Sequence, residues 1–318
     1  MITPRENFIR YFKNEPTEWR PSGFDYLQFA PQEICENVAR GFVNQQEPFP
    51  REKFGGRGFF GIDWVYEPLA GGSMEVHTLF DDIEDWEDKV EWPNPDDIDW
   101  EGCKARNAEY LKTDKIIRST IYTGFYERLI SFVGFENAAV ALVDEDQLES
   151  VHKLFAKLAD SYIDFIQRMH RLYNVELFEL HDDWGTQRSP MFSFDTHKEV
   201  IIPYVKKVVD GAHKEGCFIE MHSCGMVEPL IPNFIEAGID TWRGQSNAVD
   251  KYKLVKQYGD RFHFGAEIRP APDASEETVV EMCKQFQEQY ADTNVWLSVS
   301  ALMPDYQKEI VMREIYGK

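Results

Sequence analysis

The sequence predicts a closed (β/α)8 barrel of the TIM type, on three observations. From residue 115 onward short apolar runs alternate with helical stretches, and such alternation demands parallel strands joined by crossover helices. The strand count approaches eight, which suits a closed barrel over an open sheet. No Gly-x-Gly-x-x-Gly follows a strand, which weakens a dinucleotide-binding sheet.

Taken in order, Thr3-Pro4-Arg5-Glu6 is a helix start with proline in its first turn, and Phe8, Ile9 and Phe12 give that helix one apolar face. A first strand is expected near 20–25. Residues 54–76, rich in glycine and aromatics, read as short strands and loops. Between Asp81 and Glu101 stand eleven Asp or Glu and one basic residue, Lys89, among Trp86, Trp92, Trp100, Pro93 and Pro95. That segment reads as a solvated excursion pinned by its tryptophans, or as a docking face for a basic partner. Further strands are expected at 115–122, 175–180, 217–221, 239–242, 262–265 and 295–298. Helices near 126–142, 145–172, 196–214, 228–236, 250–257, 275–288 and 305–315 separate them. In the longest, Leu148, Val151, Leu154, Phe155, Leu158, Tyr162, Phe165, Ile166 and Met169 fall at helical spacing. The expectation is one barrel domain over 1–318, with an N-terminal helical and loop extension and an acidic excursion at about 81–101.

Composition narrows the function classes. The chain has 318 residues, with 34 Lys plus Arg against 56 Asp plus Glu, for a net charge of −22. A field of that sign repels phosphate backbones and anionic lipid surfaces, so neither nucleic acid nor membrane is an expected partner. A hydrophobic fraction of 43% suits a chain with a full core. No apolar run approaches the roughly 20 residues that span a bilayer. The charged N-terminus lacks the apolar core of a signal peptide, so the expected location is cytoplasmic. Cysteines 35, 103, 217, 224 and 283 are scattered without the spacing of a disulfide framework.

In a barrel of this kind functional groups lie at the C-terminal ends of strands. The expected exits read His181-Asp182-Asp183-Trp184-Gly185, His222-Ser223-Cys224-Gly225, Arg243-Gly244-Gln245-Ser246 and Ala266-Glu267-Ile268-Arg269. An imidazole and a thiolate two residues apart, His222 and Cys224, can converge on one zinc ion, with Glu267 from a neighbouring exit as the third ligand. An ordinary hydrogen-bonded pair is the alternative. Asp182 and Asp183 alternate faces, so only one of them can point into the mouth, as acid, base or ligand orienter; the alternative is that one caps the following helix or pairs with Arg188. His181 has the same two roles open to it. Trp64, Tyr122 and Trp184 are candidates for an aromatic wall around a flat substrate, or are core, and Gln245 is a further substrate-binding candidate.

Thr-Pro-Arg-Glu-Asn-Phe near the start, His-Asp-Asp-Trp-Gly-Thr-Gln at 181–187, and His-Ser-Cys-Gly followed by Leu-Ile-Pro-Asn-Phe-Ile-Glu-Ala-Gly-Ile-Asp within 222–240 resemble the uroporphyrinogen decarboxylase superfamily. The closer resemblance is to its corrinoid-linked methyltransferase branch, which includes the methyltransferase I components of anaerobic O-demethylases. It implies a (β/α)8 barrel whose mouth receives a methylcobalamin-type corrinoid on a partner protein, and a zinc ion that activates the methyl donor or acceptor. It places the zinc pair on His222 and Cys224. The third-ligand cysteine of thiol-methylating members is missing, since 295–303 reads Val-Trp-Leu-Ser-Val-Ser-Ala-Leu-Met. That leaves a Glu267-completed site or no metal. The arginine-rich motif of true decarboxylases is missing too: Arg20-Pro21 is followed by Ser-Gly-Phe-Asp. The expected function is methyl transfer from a small methoxylated aromatic compound to the corrinoid, with Asp182 or Asp183 as the alternative acid on the ether oxygen. A decarboxylase using Arg188, Arg243 and Arg269, and a non-catalytic corrinoid or tetrapyrrole carrier, are the rivals.

Overall fold

A computed structural model describes residues 2–68, 71–244, 247–300 and 303–317. Seven parallel strands form one curled sheet in chain order: β1 (Tyr26–Gln28), β2 (Ile116–Ile121), β3 (Val175–His181), β4 (Phe218–His222), β5 (Thr241–Arg243), β6 (His263–Glu267) and β7 (Val295–Ser298). Among the described residues the sheet thus has seven strands where eight were expected. The first begins after 20–25, because Asp25 folds that segment into a turn. Its carboxylate accepts from the Ser22 N–H at 2.7 Å and the Ser22 hydroxyl at 3.0 Å. The turn still meets the far edge of the sheet: the Gly23 N–H donates to the Leu297 carbonyl, and the Leu297 N–H to the Pro21 carbonyl, each at 2.9 Å.

The crossover helices lie close to their expected positions. The stretch 126–142 is two helices, Tyr126–Val133 and Phe135–Ala141, broken at Gly134, whose φ of 84° an L side chain rarely adopts. Helix Leu148–Tyr173 buries Val151, Leu154, Phe155, Leu158, Tyr162, Ile166 and Met169 on one face and ends where Asn174 turns left-handed. No helix among the described residues is long and apolar enough to cross a membrane.

The N-terminal helix, Pro4–Phe12, starts at Thr3, whose hydroxyl accepts from the Glu6 N–H at 3.1 Å. Its Phe8, Tyr11 and Phe12 pack with Ile116, Leu177 and Trp296, residues near the N-terminal ends of β2, β3 and β7. That end of the sheet is plugged by apolar contacts, and the opposite end, where the strands finish, is left for chemistry. Residues 54–76 form a small antiparallel sheet of Gly55–Arg57, Asp63–Glu67 and Gly72–Glu75. The acidic excursion is pinned through its tryptophans: Trp86 and Trp92 meet edge-on at 6.1 Å, Lys157 lies 4.1 Å from the Trp92 ring, and the Trp100 indole N–H donates to the Pro95 carbonyl at 2.7 Å.

Candidate active site

The register of β3 against β4 sets Glu179 opposite Glu220 and His181 opposite His222. Residues two apart on a strand share a face, so the two Glu-x-His pairs stack in tiers. In the lower tier Arg118 pairs with Glu179 and lies 2.6 Å from Glu220, while Arg243 pairs with Glu179 and lies 2.9 Å from Glu220. Two cations and two anions balance, as buried charges require.

The upper tier is the pair of imidazoles, parallel within 12° with ring centres 4.3 Å apart. His181 Nδ1 lies 3.7 Å from Glu179, and its Nε2 lies 4.0 Å from Glu127. Burial disfavours a charge on His181, but Glu179 and Glu127 outweigh it and raise its pKa to about 9. Burial raises Glu127 to about 7, against the pull of His181. His222 goes the other way: burial and the neighbouring His181 hold it well below the usual histidine range. The surroundings favour a charge on one ring and disfavour it on the other.

The His222 ring faces ligand-type atoms. Cys224 Sγ lies 3.4 Å and Asp183 Oδ1 3.9 Å from His222 Nε2. Ligand atoms of His181, Asp183 and His222 all lie within 4.8 Å of one another. Burial and Asp183 push the Cys224 thiol up to about 12, and a divalent cation would reverse that preference. The loops after β3 and β4 clasp each other and set this geometry. The Met226 N–H donates to the Thr186 carbonyl at 2.7 Å, the Trp184 N–H to the Ser223 hydroxyl at 2.9 Å, and the Cys224 N–H to Asp183 at 2.6 Å. Gly225 has φ of 80°, and a Cβ there would run into the Gly185 carbonyl.

The other expected residues fall elsewhere. Asp182 is fully buried and caps helix Tyr126–Val133, accepting from the N–H groups of Phe125, Tyr126 and Glu127 at 2.6, 2.9 and 2.8 Å. Asp183 is therefore the one at the mouth. Glu267 stands outside the His181, Asp183 and His222 group, with its carboxylate 2.8 Å from Arg269. Trp184 is not a wall of the mouth: it is fully buried against His197 and Phe234, because the loop clasp turns it into the core. Tyr122 stacks on Phe42 and lies 6.4 Å from the His181 ring. Trp64 is buried beneath Arg40, 4.1 Å from its ring, and Arg40 in turn feels the charge of Glu127. Gln245 lies outside the described residues. The groups missed from sequence are Glu127, Arg118, Glu179 and Glu220, although Glu-x-His at both 179–181 and 220–222 was a visible signal.

The profile of the uroporphyrinogen decarboxylase (URO-D) family matches residues 131–263, a span that holds both Glu-x-His strands and Cys224. The chain resembles the uroporphyrinogen decarboxylase superfamily. A methyltransferase from Methanosarcina mazei has a similar fold, with a TM-score of 0.69 at 12% identity, over 99% of this chain and 98% of that one. Weaker likenesses are an Old Yellow Enzyme from Pichia sp., with a TM-score of 0.41 at 9% identity over 69% of this chain and 66% of that one, and a sugar phosphate isomerase/epimerase from Parabacteroides distasonis, with 0.37 at 11% over 72% and 81%. At 12% identity the likeness to the methyltransferase is one of fold. No curated protein matches the chain in sequence.

Proposed function

We propose that the protein is a methyltransferase that moves a methyl group from a small methoxylated aromatic compound to a corrinoid on a partner protein, and that the curled sheet works as a (β/α)8 barrel of the URO-D type. The observation that carries this reading is His222 with Cys224 Sγ 3.4 Å and Asp183 3.9 Å from its Nε2, stacked beside His181 at 4.3 Å. The donor set suits zinc, because a neutral imidazole, a thiol and a carboxylate converge. His222, Cys224 and Asp183 would hold the ion, with Asp183 in the place first expected of Glu267.

An ether carbon is a poor electrophile because the departing oxygen is basic. Bound zinc supplies a Lewis acid for that oxygen, and the corrinoid brings the nucleophile. His181 would contribute the proton: its ring lies between Glu179 and Glu127, and its Nε2 is the donor available to the leaving oxygen. Glu127 then takes part in restoring that proton. The charged tier below holds both imidazoles in register.

The decarboxylase reading needs free cations at the mouth. Arg243 is committed to Glu179 and Glu220, Arg269 is paired with Glu267, and Arg188 is exposed on its loop. The zinc-loaded protein, mixed without oxygen with methoxybenzoate isomers and cob(I)alamin, should form methylcobalamin and the matching phenol. Cys224→Ala should stop this while circular dichroism stays unchanged. Unchanged turnover in Cys224→Ala would sink the metal mechanism, and carbon dioxide release without methyl transfer would favour the decarboxylase.

A further inference from the structure

A cavity of about 310 Å³ opens on the flank of the sheet, between β2, the helix Leu148–Tyr173 and the excursion. Its lining includes neither His181 nor His222, although Tyr122 both lines it and lies 6.4 Å from the His181 ring. Its walls are chiefly apolar, with Ile34, Phe59, Phe60, Ile98, Ile121 and Phe165 among them, and its size falls at the lower end of small-molecule sites.

Arg128 lines it and is 1% exposed. Its guanidinium Nη2 donates to Glu36 at 2.5 Å, the Thr123 hydroxyl at 2.6 Å and the Tyr122 carbonyl at 3.2 Å. Nε and Nη1 are buried and make no hydrogen bond. The guanidinium lies 4.7 Å from the Phe60 ring, and the Tyr162 hydroxyl beside it gives its proton to the carbonyls of Thr123 and Gly124. Buried N–H groups without acceptors are costly and rare, and an apolar cavity next to two of them is a place for a molecule that brings the acceptor.

Charge decides which kind of acceptor. Arg128 is already balanced by Glu36 at 2.5 Å. Of the other charged groups in the lining, Arg168 pairs with Asp164 at 2.9 Å, Lys157 lies over the Trp92 ring and Asp160 pairs with Lys207, so Lys157 and Arg168 are matched in number by Asp160 and Asp164 and the lining carries no net charge that would hold an anion. We propose that this cavity is a second binding site, for a small, flat, uncharged molecule with one carbonyl-type oxygen, apolar on its faces and accepting from Arg128.

Acetophenone is the probe, and α-methylstyrene, with a methylene in place of the oxygen, is its control. Calorimetry on the full-length protein should show one acetophenone site per chain, with α-methylstyrene weaker by about tenfold or more, the worth of a hydrogen bond to a charged group. Ser161→Phe fills the cavity from the helix side and Ile98→Trp from the excursion side, so a folding defect in one leaves the other to decide. Either variant, if folded by circular dichroism, should lose acetophenone binding, while Cys224→Ala should keep it. Three results would each overturn the proposal: no acetophenone binding, binding retained by both filled variants, or binding lost in Cys224→Ala, which would put the probe at the mouth. Equal affinity for the two probes would remove Arg128 as the recognising group and overturn it as well.

Discussion

Asp182 accepts with both carboxylate oxygens from backbone N–H groups at the start of helix Tyr126–Val133, while Asp183 turns toward Cys224 and His222. The two Asn substitutions should therefore separate. Asp182→Asn should cost about 1–3 kcal/mol in urea unfolding, as for a buried acceptor weakened at a cap. Asp183→Asn should leave stability nearly unchanged and lower methyl transfer by about 10²-fold or more. The reverse pattern would show that the mouth is built from Asp182. His197 offers a pH test away from the mouth. It is fully buried among Trp184, Phe192 and Phe234, with Asn233 3.0 Å from its Nδ1. Burial lowers its pKa from 6.5 to about 3. The unfolded chain takes up that proton first, so the contribution to stability is present above pH 6.5 and is lost as pH falls toward 3. Urea midpoints between pH 7 and pH 4 should fall less in His197→Phe than in the parent protein, and identical slopes would show that this burial does not control acid stability.

At the scale of elements, two loops decide where Cys224 stands. Gly225→Ala forces a side chain onto a left-handed φ of 80° and into the Gly185 carbonyl. It should cost more than about 1 kcal/mol and weaken zinc retention, whereas Gly216→Ala, with a similar φ but no atom within 4 Å of the added carbon, should cost stability alone. Equal zinc retention by both would show that the clasp does not position Cys224. The same scale explains what the sequence made legible. Apolar spacing exposed the long helix and the alternation exposed the parallel strands, because both are local patterns. The strand at 20–25 was displaced by a turn that rests on one Asp25 carboxylate. His222 and Cys224 were readable as a pair two residues apart. Glu127 acts on His181 from a helix on another element, while Glu179, two residues before His181, was a local signal left unread, and only the registry of β2, β3 and β4 brings Arg118, Glu179 and Glu220 together. Trp184 followed the loop clasp inward, which no local pattern signals.

For the whole molecule, a net charge of −22 is concentrated in part on the 81–101 excursion. Some of its acids are paired at the surface, Glu91 with Arg57, Asp96 with Arg168 and Asp99 with Arg106, and exposed pairs of this kind contribute little to stability. If the segment also draws in a basic corrinoid protein, methyl transfer to that protein should slow steeply with salt, and transfer to free cobalamin should not. Changing Asp82, Glu84, Glu87 and Asp88 to Asn or Gln should remove most of the salt dependence; an unchanged salt slope would leave the segment as surface. The proposed function depends on a metal at the mouth, and the most direct measurement is X-ray absorption at the zinc edge on the parent protein, Cys224→Ala and Glu267→Gln. The parent should hold about one zinc per chain with one sulfur and otherwise nitrogen or oxygen neighbours, Cys224→Ala should lose the sulfur or the metal, and Glu267→Gln should match the parent. A protein that retains no zinc, or a zinc environment that Cys224→Ala leaves unchanged, would contradict the account.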